Sequence, residues 1–250
     1  MTIENAPAPP VADRVTFEAR LTELRDHEKA HTRAGDALAA ARRRLPVTEV
    51  DAQTSLIGPD GPIRLIDTFE GRRQLIAYYF MWYPGRPAAQ QCAGCTWNNT
   101  QLDELSYVHS RDITYAVFCQ GPYDESKRYH EFMNWTMPWY SAQPSLDTLL
   151  TGRQIGAMHV VCYLQLNDCV FETYWTTRRG VEAVDINYRL MDLSVYGRQE
   201  PWEDSPAGWP QSHGPTDPEV ADVHPFRTNG RPIAQWSRID AGRSDRLAPR

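Results

Sequence analysis

The chain has 250 residues and a formal net charge of −6. This acidic balance does not favour binding to nucleic acid or to an anionic membrane surface. Hydrophobic residues make up 41% of the chain and charged residues 23%, which is typical of a globular protein rather than a disordered or fibrous one.

The first ten residues have none of the features of an export signal. They contain neither a basic region nor an apolar run. Elsewhere, no apolar run approaches the roughly 18 residues that a membrane-spanning helix requires. We therefore expect a cytoplasmic protein with no membrane partner. In that reducing compartment, a disulfide framework is not expected for the five cysteines, at positions 92, 95, 119, 162 and 169.

The N-terminal part of the chain changes character near residue 13. Residues 1–12 are rich in proline and alanine and are predicted to be disordered. Apolar residues then recur at helical spacing, and Pro46 ends the pattern, which predicts a helical extension over 13–46. Gly35 is a candidate position for a break or kink in it. Two interpretations stay open: this helix packs across the rest of the protein, or it pairs with a second copy in a homodimer.

Residues 47–197 alternate between strand and helix patterns. A hairpin is predicted for 56–66, followed by a strand at 75–82 that is apolar throughout, as in a strand buried on both faces. The pattern then predicts a helix at 96–110, a strand at 113–118, a helix at 123–135, a hairpin at 159–175 and a helix at 184–195. This β-α-β-α-β-β-α order is that of the thioredoxin core and predicts an α/β sheet with helical crossovers.

Residues 198–250 are rich in proline. Three tryptophans interrupt this polar stretch, and tryptophan is scarce in disordered segments. We therefore predict an extended tail that lies on the surface and is anchored by Trp202, Trp209 and Trp236.

The segment Cys-Ala-Gly-Cys at 92–95 is the strongest chemical motif. It follows the apolar strand and opens the next predicted helix. Cysteines three residues apart on a first helical turn can close a disulfide, and the free N–H groups at the helix start favour a thiolate on the first sulfur. The motif predicts Cys92 as the attacking thiolate and Cys95 as the residue that resolves a mixed disulfide.

At these residues the chain resembles a bacterial thioredoxin-like family of formerly unknown function whose members are predicted dithiol-disulfide oxidoreductases. The matching segments are 37–46 (ALAAARRRLP), 71–76 (GRRQLI), 79–81 (YFM), 91–96 (QCAGCT), 132–135 (FMNW) and 138–141 (PWYS). The resemblance implies a thioredoxin-like fold with its dithiol at Cys92 and Cys95. One departure from thioredoxin lies before His159, where the segment 156–159 lacks the proline that faces the disulfide in thioredoxins. This departure argues against thioredoxin-like docking of protein disulfides.

Aromatic residues are concentrated around the predicted dithiol. They suggest an apolar pocket for a small organic or thiol substrate. The protein would act on this substrate without a cofactor, and an unidentified reductant would then regenerate the dithiol. The predicted pocket residues are Trp82, Tyr83, Trp97, Trp139, Tyr140 and His159. His159 is also the best candidate for a second group that lowers the pKa of Cys92, since the topology places the start of its strand near the dithiol.

Other interpretations of the same cysteines stay open. Cys92, Cys95 and His159 could together bind copper(I) or zinc, because thiolate and imidazole are preferred ligands of both metals. A non-catalytic thioredoxin-like interaction module is a second alternative. A peroxiredoxin-like peroxidase is disfavoured, since that class needs a threonine three residues before its cysteine and Ala89 occupies this position.

Overall fold

The computed structural model describes residues 8–200, 202–210, 234–235, 238–239, 241–244 and 246–247. These residues form two compact units. The first contains the described residues up to Pro46 together with 204–210, and the second contains 47–203 with the described residues from 234 onward. Among the described residues, no helix has both the length and the apolar character that crossing a bilayer demands.

The first unit is built on one long helix, α1, which spans Arg14–Arg42. The side chain of Asp13 caps its start by accepting a hydrogen bond from the Thr16 backbone at 2.8 Å. The helix continues through Gly35 without a break, since the alanine-rich segment that follows favours helix enough to offset one glycine. No residue of α1 is buried. Its role as a dimer contact remains a prediction.

The second unit is built on an eight-stranded sheet. The strands are β1 (Thr48–Val50), β2 (Ser55–Gly58), β3 (Gly61–Arg64), β4 (Gln74–Phe80), β5 (Ile113–Cys119), β6 (Trp139–Ser141), β7 (His159–Leu166) and β8 (Cys169–Thr177). The helices are α2 (Ala93–Thr100), α3 (Ser106–His109), α4 (Tyr123–Met133), α5 (Leu146–Leu149) and α6 (Ile186–Asp192). Across the sheet the strand order is β1-β8-β7-β4-β5-β6-β2-β3.

The centre of this sheet has the thioredoxin arrangement that the sequence predicted. β4 and β5 are parallel, whereas β7 runs antiparallel to β4 and forms a hairpin with β8. The protein thus has an α/β thioredoxin-like fold with an N-terminal helical extension.

β4 is buried on both faces of the sheet. Leu75, Ala77 and Tyr79 belong to one core cluster, whereas Tyr78 and Phe80 belong to a second cluster on the other face. Since neighbouring side chains of a strand point to opposite faces, a strand covered on both sides must be apolar at every position. This burial on both faces explains the uninterrupted apolar run. The chain leaves the centre of the core at the end of β4 and continues into the loop that leads to the dithiol.

The structure differs from the predicted elements in two helices. The single helix predicted over 96–110 is divided into α2 and α3. The buried Asn99 explains the early end of α2, because its side chain donates to the Cys95 carbonyl at 2.8 Å and accepts from the Tyr115 hydroxyl at 2.8 Å. The helix predicted over 184–195 is the shorter α6, which begins after the side-chain cap Asp185.

Parts of the C-terminal tail contact the rest of the second unit. Trp202 is half exposed, and the Arg179 guanidinium lies over its ring at 3.8 Å. Trp236 lies outside the described residues. Further along, Leu247 is buried, and the Arg243 side chain donates to the Phe132 carbonyl at the end of α4 at 2.6 Å.

Candidate active site

Cys92 lies at the junction between a loop and α2. It is the N-cap residue of α2, and its Sγ accepts a hydrogen bond from the Cys95 backbone N–H at 3.3 Å. This is the geometry predicted from the motif, because a helix leaves its first N–H groups without partners inside the helix. The Cys92 sulfur thus takes the position that a serine or aspartate oxygen takes at other helix starts.

Cys95 lies one turn further along and is completely buried. Its Sγ accepts a hydrogen bond from the Met81 backbone N–H at 3.5 Å. The Cys92 thiol is half-buried and lies 3.8 Å from the Met81 thioether sulfur. The two cysteines are not joined by a disulfide. The accessible sulfur is therefore the first one, and the second lies behind it.

The surroundings affect the two thiols in opposite directions. The pKa of Cys92 is lowered, first by a hydrogen bond from the Cys95 side chain and then by backbone N–H groups of Cys95 and Gly94, which together outweigh burial. The pKa of Cys95 is raised well above its usual value, first by burial and then by its hydrogen bond and repulsion with the Cys92 thiolate. The site therefore favours a thiolate at Cys92 beside a neutral thiol at Cys95.

A cavity of about 370 Å³ lies against both sulfurs. Most of its wall is apolar. The residues that line it are Tyr78, Met81, Tyr83, Cys92, Ala93, Gly94, Cys95, Trp97, Asn98, Met158, Arg178, Arg179, Val181, Glu182, Asp185 and Tyr188. Its volume is in the range of pockets that bind small organic molecules. A small molecule in this cavity would lie next to the Cys92 thiolate.

The structure brings only part of the predicted pocket together. Tyr83 and Trp97 line the cavity with the two cysteines. Trp82, Trp139 and Tyr140 do not, and their assignment to the pocket is corrected. All three are buried in the core, because burying a large ring stabilises the fold by about 1.5–3 kcal/mol.

His159 is also displaced from its predicted position. Its ring lies against Trp175, with ring centres 5.9 Å apart, and its Nε2 is 2.9 Å from the Gln154 carbonyl oxygen. Burial lowers the pKa of His159, so a neutral ring is favoured. The reason for the misplacement is the alternation of side chains along a strand. Met158, one residue earlier, lines the cavity, and His159 therefore points to the opposite face.

Met158 belongs to the segment 156–159, which lacks the proline that thioredoxins have before this strand. It lies directly before β7 and contributes a thioether to the cavity wall. A flexible, polarizable side chain adapts to the shape of a bound small molecule.

The three residues proposed to bind a metal are not brought together. Since His159 points away from the sulfurs, it cannot complete a site with Cys92 and Cys95 in this arrangement. In the part of the chain that the structure describes, no three His, Cys, Asp or Glu side chains form a group that could hold a metal ion. A zinc site normally needs three or four such ligands, so the donor set does not fit zinc.

Two buried glutamines hold the loops on either side of the site. Gln91 donates to the carbonyls of Tyr83 and Arg86 at 2.9 and 3.1 Å, and accepts from the Tyr83 N–H at 3.0 Å. Gln120 accepts from the Gly156 N–H at 2.7 Å and donates to the Ala157 carbonyl at 2.8 Å. These contacts position the loop that carries Tyr83 and the loop that leads into Met158.

The tail reaches the back of the dithiol turn. Gln235, which is fully buried, donates to the Gln91 carbonyl at 3.2 Å and to the Tyr129 hydroxyl at 2.9 Å. The Thr96 hydroxyl, also buried, donates to the Cys92 carbonyl at 2.8 Å. Sequence reasoning missed this contact, because nothing in the local pattern around residue 235 indicates where a tail packs.

Most of the polar cavity wall was not predicted from the sequence. Asn98 comes from α2, and Arg178, Arg179, Glu182 and Asp185 come from the segment that connects β8 with α6. One signal was present: a helix carries residues three positions apart on one face, so Asn98 follows Cys95 toward the same side. The segment after β8 gave no comparable signal.

Comparisons with known proteins give one family match and several similar solved structures. No curated protein sequence matches the chain. Similar solved structures include a cysteine-to-serine mutant of Xanthomonas campestris peroxiredoxin Q (12% identity, 59% of this chain and 97% of that one, TM-score 0.39). Another is a cysteine-to-serine mutant of PrxQ from Xylella fastidiosa (8% identity, 58% and 94%, TM-score 0.39). A third is apo Sco1 from Thermus thermophilus (15% identity, 56% and 88%, TM-score 0.32).

These structural likenesses are weak, and they assign neither a peroxidase activity nor a metal to this chain. The family match is extensive by contrast. The sequence model of the family described as "Bacterial protein of unknown function (DUF899)" matches residues 6–216, which is most of the chain. The protein therefore belongs to this bacterial family.

Proposed function

We propose that this protein is a dithiol-disulfide oxidoreductase that acts through Cys92 and Cys95 on a small organic disulfide bound in the cavity. One observation carries the proposal. The half-buried Cys92 has a lowered pKa and opens onto a cavity of about 370 Å³, while the buried Cys95 keeps its proton directly behind it. Reactive cysteines in oxidoreductases have this combination of thiolate character and access.

The first step forms a mixed disulfide. The Cys92 thiolate attacks one sulfur of the substrate disulfide along the S–S axis, a bond forms between Cys92 Sγ and that sulfur, and the second half of the substrate leaves as a thiolate. The attack consumes the negative charge on Cys92. Hydrogen bonding to the Cys92 thiolate and repulsion by it are two of the three causes that raise the pKa of Cys95, so both disappear at this point.

The second step releases the product. The Cys95 proton passes to the departing thiolate, and the Cys95 thiolate is stabilised by the Met81 N–H and the Tyr78 hydroxyl, both of which lower the pKa of Cys95. The Cys95 thiolate then attacks Cys92 Sγ, forms the Cys92–Cys95 disulfide and expels the other half of the substrate. One disulfide bond has been exchanged for another, and two electrons have moved from the protein to the substrate.

The cavity favours a small substrate over a protein disulfide. The mostly apolar wall, which includes Met158 and Trp97, provides a surface for an organic group next to the sulfur. For repeated turnover the oxidised protein needs a cellular reductant. A reducing cytoplasm would supply one, and we retain that location as part of the proposal.

Trapping the mixed disulfide tests the proposal. The reduced protein is mixed with hydroxyethyl disulfide, a small neutral disulfide, and the peptide that contains Cys92 is analysed by mass spectrometry. The wild type should form the Cys92–Cys95 disulfide and release two thiols for each substrate consumed. Cys95→Ser should accumulate a hydroxyethyl adduct on Cys92, whereas Cys169→Ser, which changes an exposed cysteine outside the cavity, should behave as the wild type.

Two results would contradict the proposal. One is a Cys92→Ser variant that consumes the disulfide as fast as the wild type. The other is a Cys95→Ser variant that never carries an adduct on Cys92, which would mean that Cys92 is not the nucleophile.

A further inference from the structure

The segment between β8 and α6 contributes four charged side chains to the cavity wall, and not all of their charges are balanced by groups of the protein. They are Arg178, Arg179, Glu182 and Asp185. The Glu182 carboxylate is shared by two cations, with the Arg179 guanidinium at 3.2 Å and the Arg198 guanidinium at 2.8 Å. Asp185 is buried and caps α6 by accepting from the Tyr188 N–H at 3.0 Å, so its charge faces the positive end of that helix. Both carboxylates on this wall are therefore compensated by groups of the protein.

Arg178 is the exception on this wall. Its guanidinium donates to the neutral side-chain oxygen of Gln154 at 3.3 Å, and no carboxylate of the described residues pairs with it. Its backbone has a φ of 51°, a left-handed conformation that is uncommon for residues other than glycine and that is held here at the end of β8. The cavity therefore presents one uncompensated positive charge, at its solvent-exposed edge.

Asn98 provides an independent observation on the facing wall. Only 6% of its surface is exposed, and it lines the cavity one helical turn beyond Cys95. Within the described part of the chain, its side-chain amide makes no hydrogen bond, and its backbone carbonyl accepts one from the Gln101 N–H at 3.4 Å. An amide that faces an open cavity and has no protein partner is placed to bond a ligand.

We propose, building on the function proposed above, that the cavity selects low-molecular-weight disulfides that carry a carboxylate. Arg178 binds the carboxylate, and the Asn98 amide bonds a second polar group of the same molecule. The disulfide then lies between these two anchors, against the cysteines. A guanidinium offers paired N–H donors that match the two oxygens of a carboxylate, which gives the preference for an anion.

Three symmetric disulfides of similar length test this selection. Dithiodipropionate carries two carboxylates, hydroxyethyl disulfide is neutral, and cystamine carries two ammonium groups. The rate at which each oxidises the reduced protein is divided by its rate with free mercaptoethanol, which removes differences in intrinsic reactivity. We expect the anionic disulfide to exceed the neutral one by about fivefold, the upper range for an exposed ion pair. The cationic disulfide should be the slowest.

Variants then identify the residues responsible. Arg178→Gln should bring the normalised rate of the anionic disulfide down to that of the neutral one measured with the same variant. Arg111→Gln is the matched control, because Arg111 lies before the first residue of β5, at the other end of the parallel strands, and it should keep the full preference. Asn98→Leu should raise the dithiodipropionate concentration for half-maximal rate by about threefold, the loss of one neutral hydrogen bond.

The outcomes separate this inference from the function on which it rests. If the wild type shows no charge preference, or if Arg178→Gln retains it, the selection by Arg178 is wrong even though the dithiol reacts. An unchanged half-maximal concentration in Asn98→Leu would remove Asn98 as an anchor. If none of the three disulfides oxidises the protein faster than it oxidises mercaptoethanol, the proposed oxidoreductase function itself fails.

Discussion

Replacing Gln91 with leucine removes three hydrogen bonds beside the dithiol while nearly conserving side-chain volume. The lost bonds join its amide to the Tyr83 N–H and to the carbonyls of Tyr83 and Arg86. Gln91 is fully buried, so the leucine itself is well accommodated as an apolar group. The effect of the substitution should therefore come from the freed loop rather than from a cavity or a clash.

The expected loss of stability follows from the number of bonds. Three neutral hydrogen bonds at about 0.5–1.5 kcal/mol each give about 1.5–4.5 kcal/mol. Tyr83 is only half-buried, so water can partly satisfy its backbone groups, and we expect about 2 kcal/mol. For a chain of this size, that corresponds to a decrease in Tm of about 4–8 °C.

Thermal unfolding followed by circular dichroism measures this decrease. Gln165→Leu is the matched control, because the Gln165 side chain makes one exposed hydrogen bond, to the Asn167 carbonyl at 3.1 Å. The reaction of Cys92 with hydroxyethyl disulfide should also slow in Gln91→Leu, since Tyr83 would no longer be held at the cavity wall. A Tm within about 1 °C of that of Gln165→Leu would refute the reasoning that Gln91 fastens this loop.

Three further predictions follow from other contacts. Gly121→Ala would place a Cβ 2.0 Å from the Trp82 ring, so it should lower the Tm by about 4–8 °C, a cost of about 2 kcal/mol, whereas Gly35→Ala, with open space around it, should not lower the Tm. The alkylation rate of Cys92 by iodoacetamide should rise with pH with a midpoint below the usual cysteine pKa of about 8.5, because a lowered pKa keeps the thiolate present to lower pH; a midpoint at or above that value would contradict the site geometry. Arg198→Met should destabilise the protein by about 2 kcal/mol in denaturant unfolding, since the carboxylates of Glu182 and Asp192, both partly exposed, lose the cation that they share. An unchanged unfolding midpoint would show that water solvates these carboxylates as well as Arg198 does.

The parts of the fold that the sequence predicted are those with a local signal. The run at β4 is apolar at every position because each face of the strand meets its own core cluster. The turn at Asn167 and Asp168 joins two alternating strands, and Asn167 has the left-handed backbone, with a φ of 55°, that such a turn demands. The Cys92 position at a helix start follows from spacing alone.

The residues that were wrongly predicted to line the cavity include two that are direct chain neighbours of residues that do line it. The sequence predicts His159 at the dithiol because its strand starts there, and the residue directly before that strand does line the cavity. The adjacent Met158 is the residue that faces the sulfurs. Likewise, among the loop aromatics Tyr83 lines the cavity, whereas Trp82 turns into the core. A sequence pattern locates the end of a strand well, but it does not show which side chains at that end face the dithiol.

The sequence by itself determined the α/β class, the central strands and the two cysteines, because these depend on local periodicity and on spacing within one helical turn. Only the tertiary structure decided which side chains surround the sulfurs. Asn98 and Arg178 are 80 positions apart in the chain, and both line one cavity, the first from α2 and the second from the segment that follows β8. Contacts between such distant residues depend on how whole elements pack, and that information is not present in any local segment.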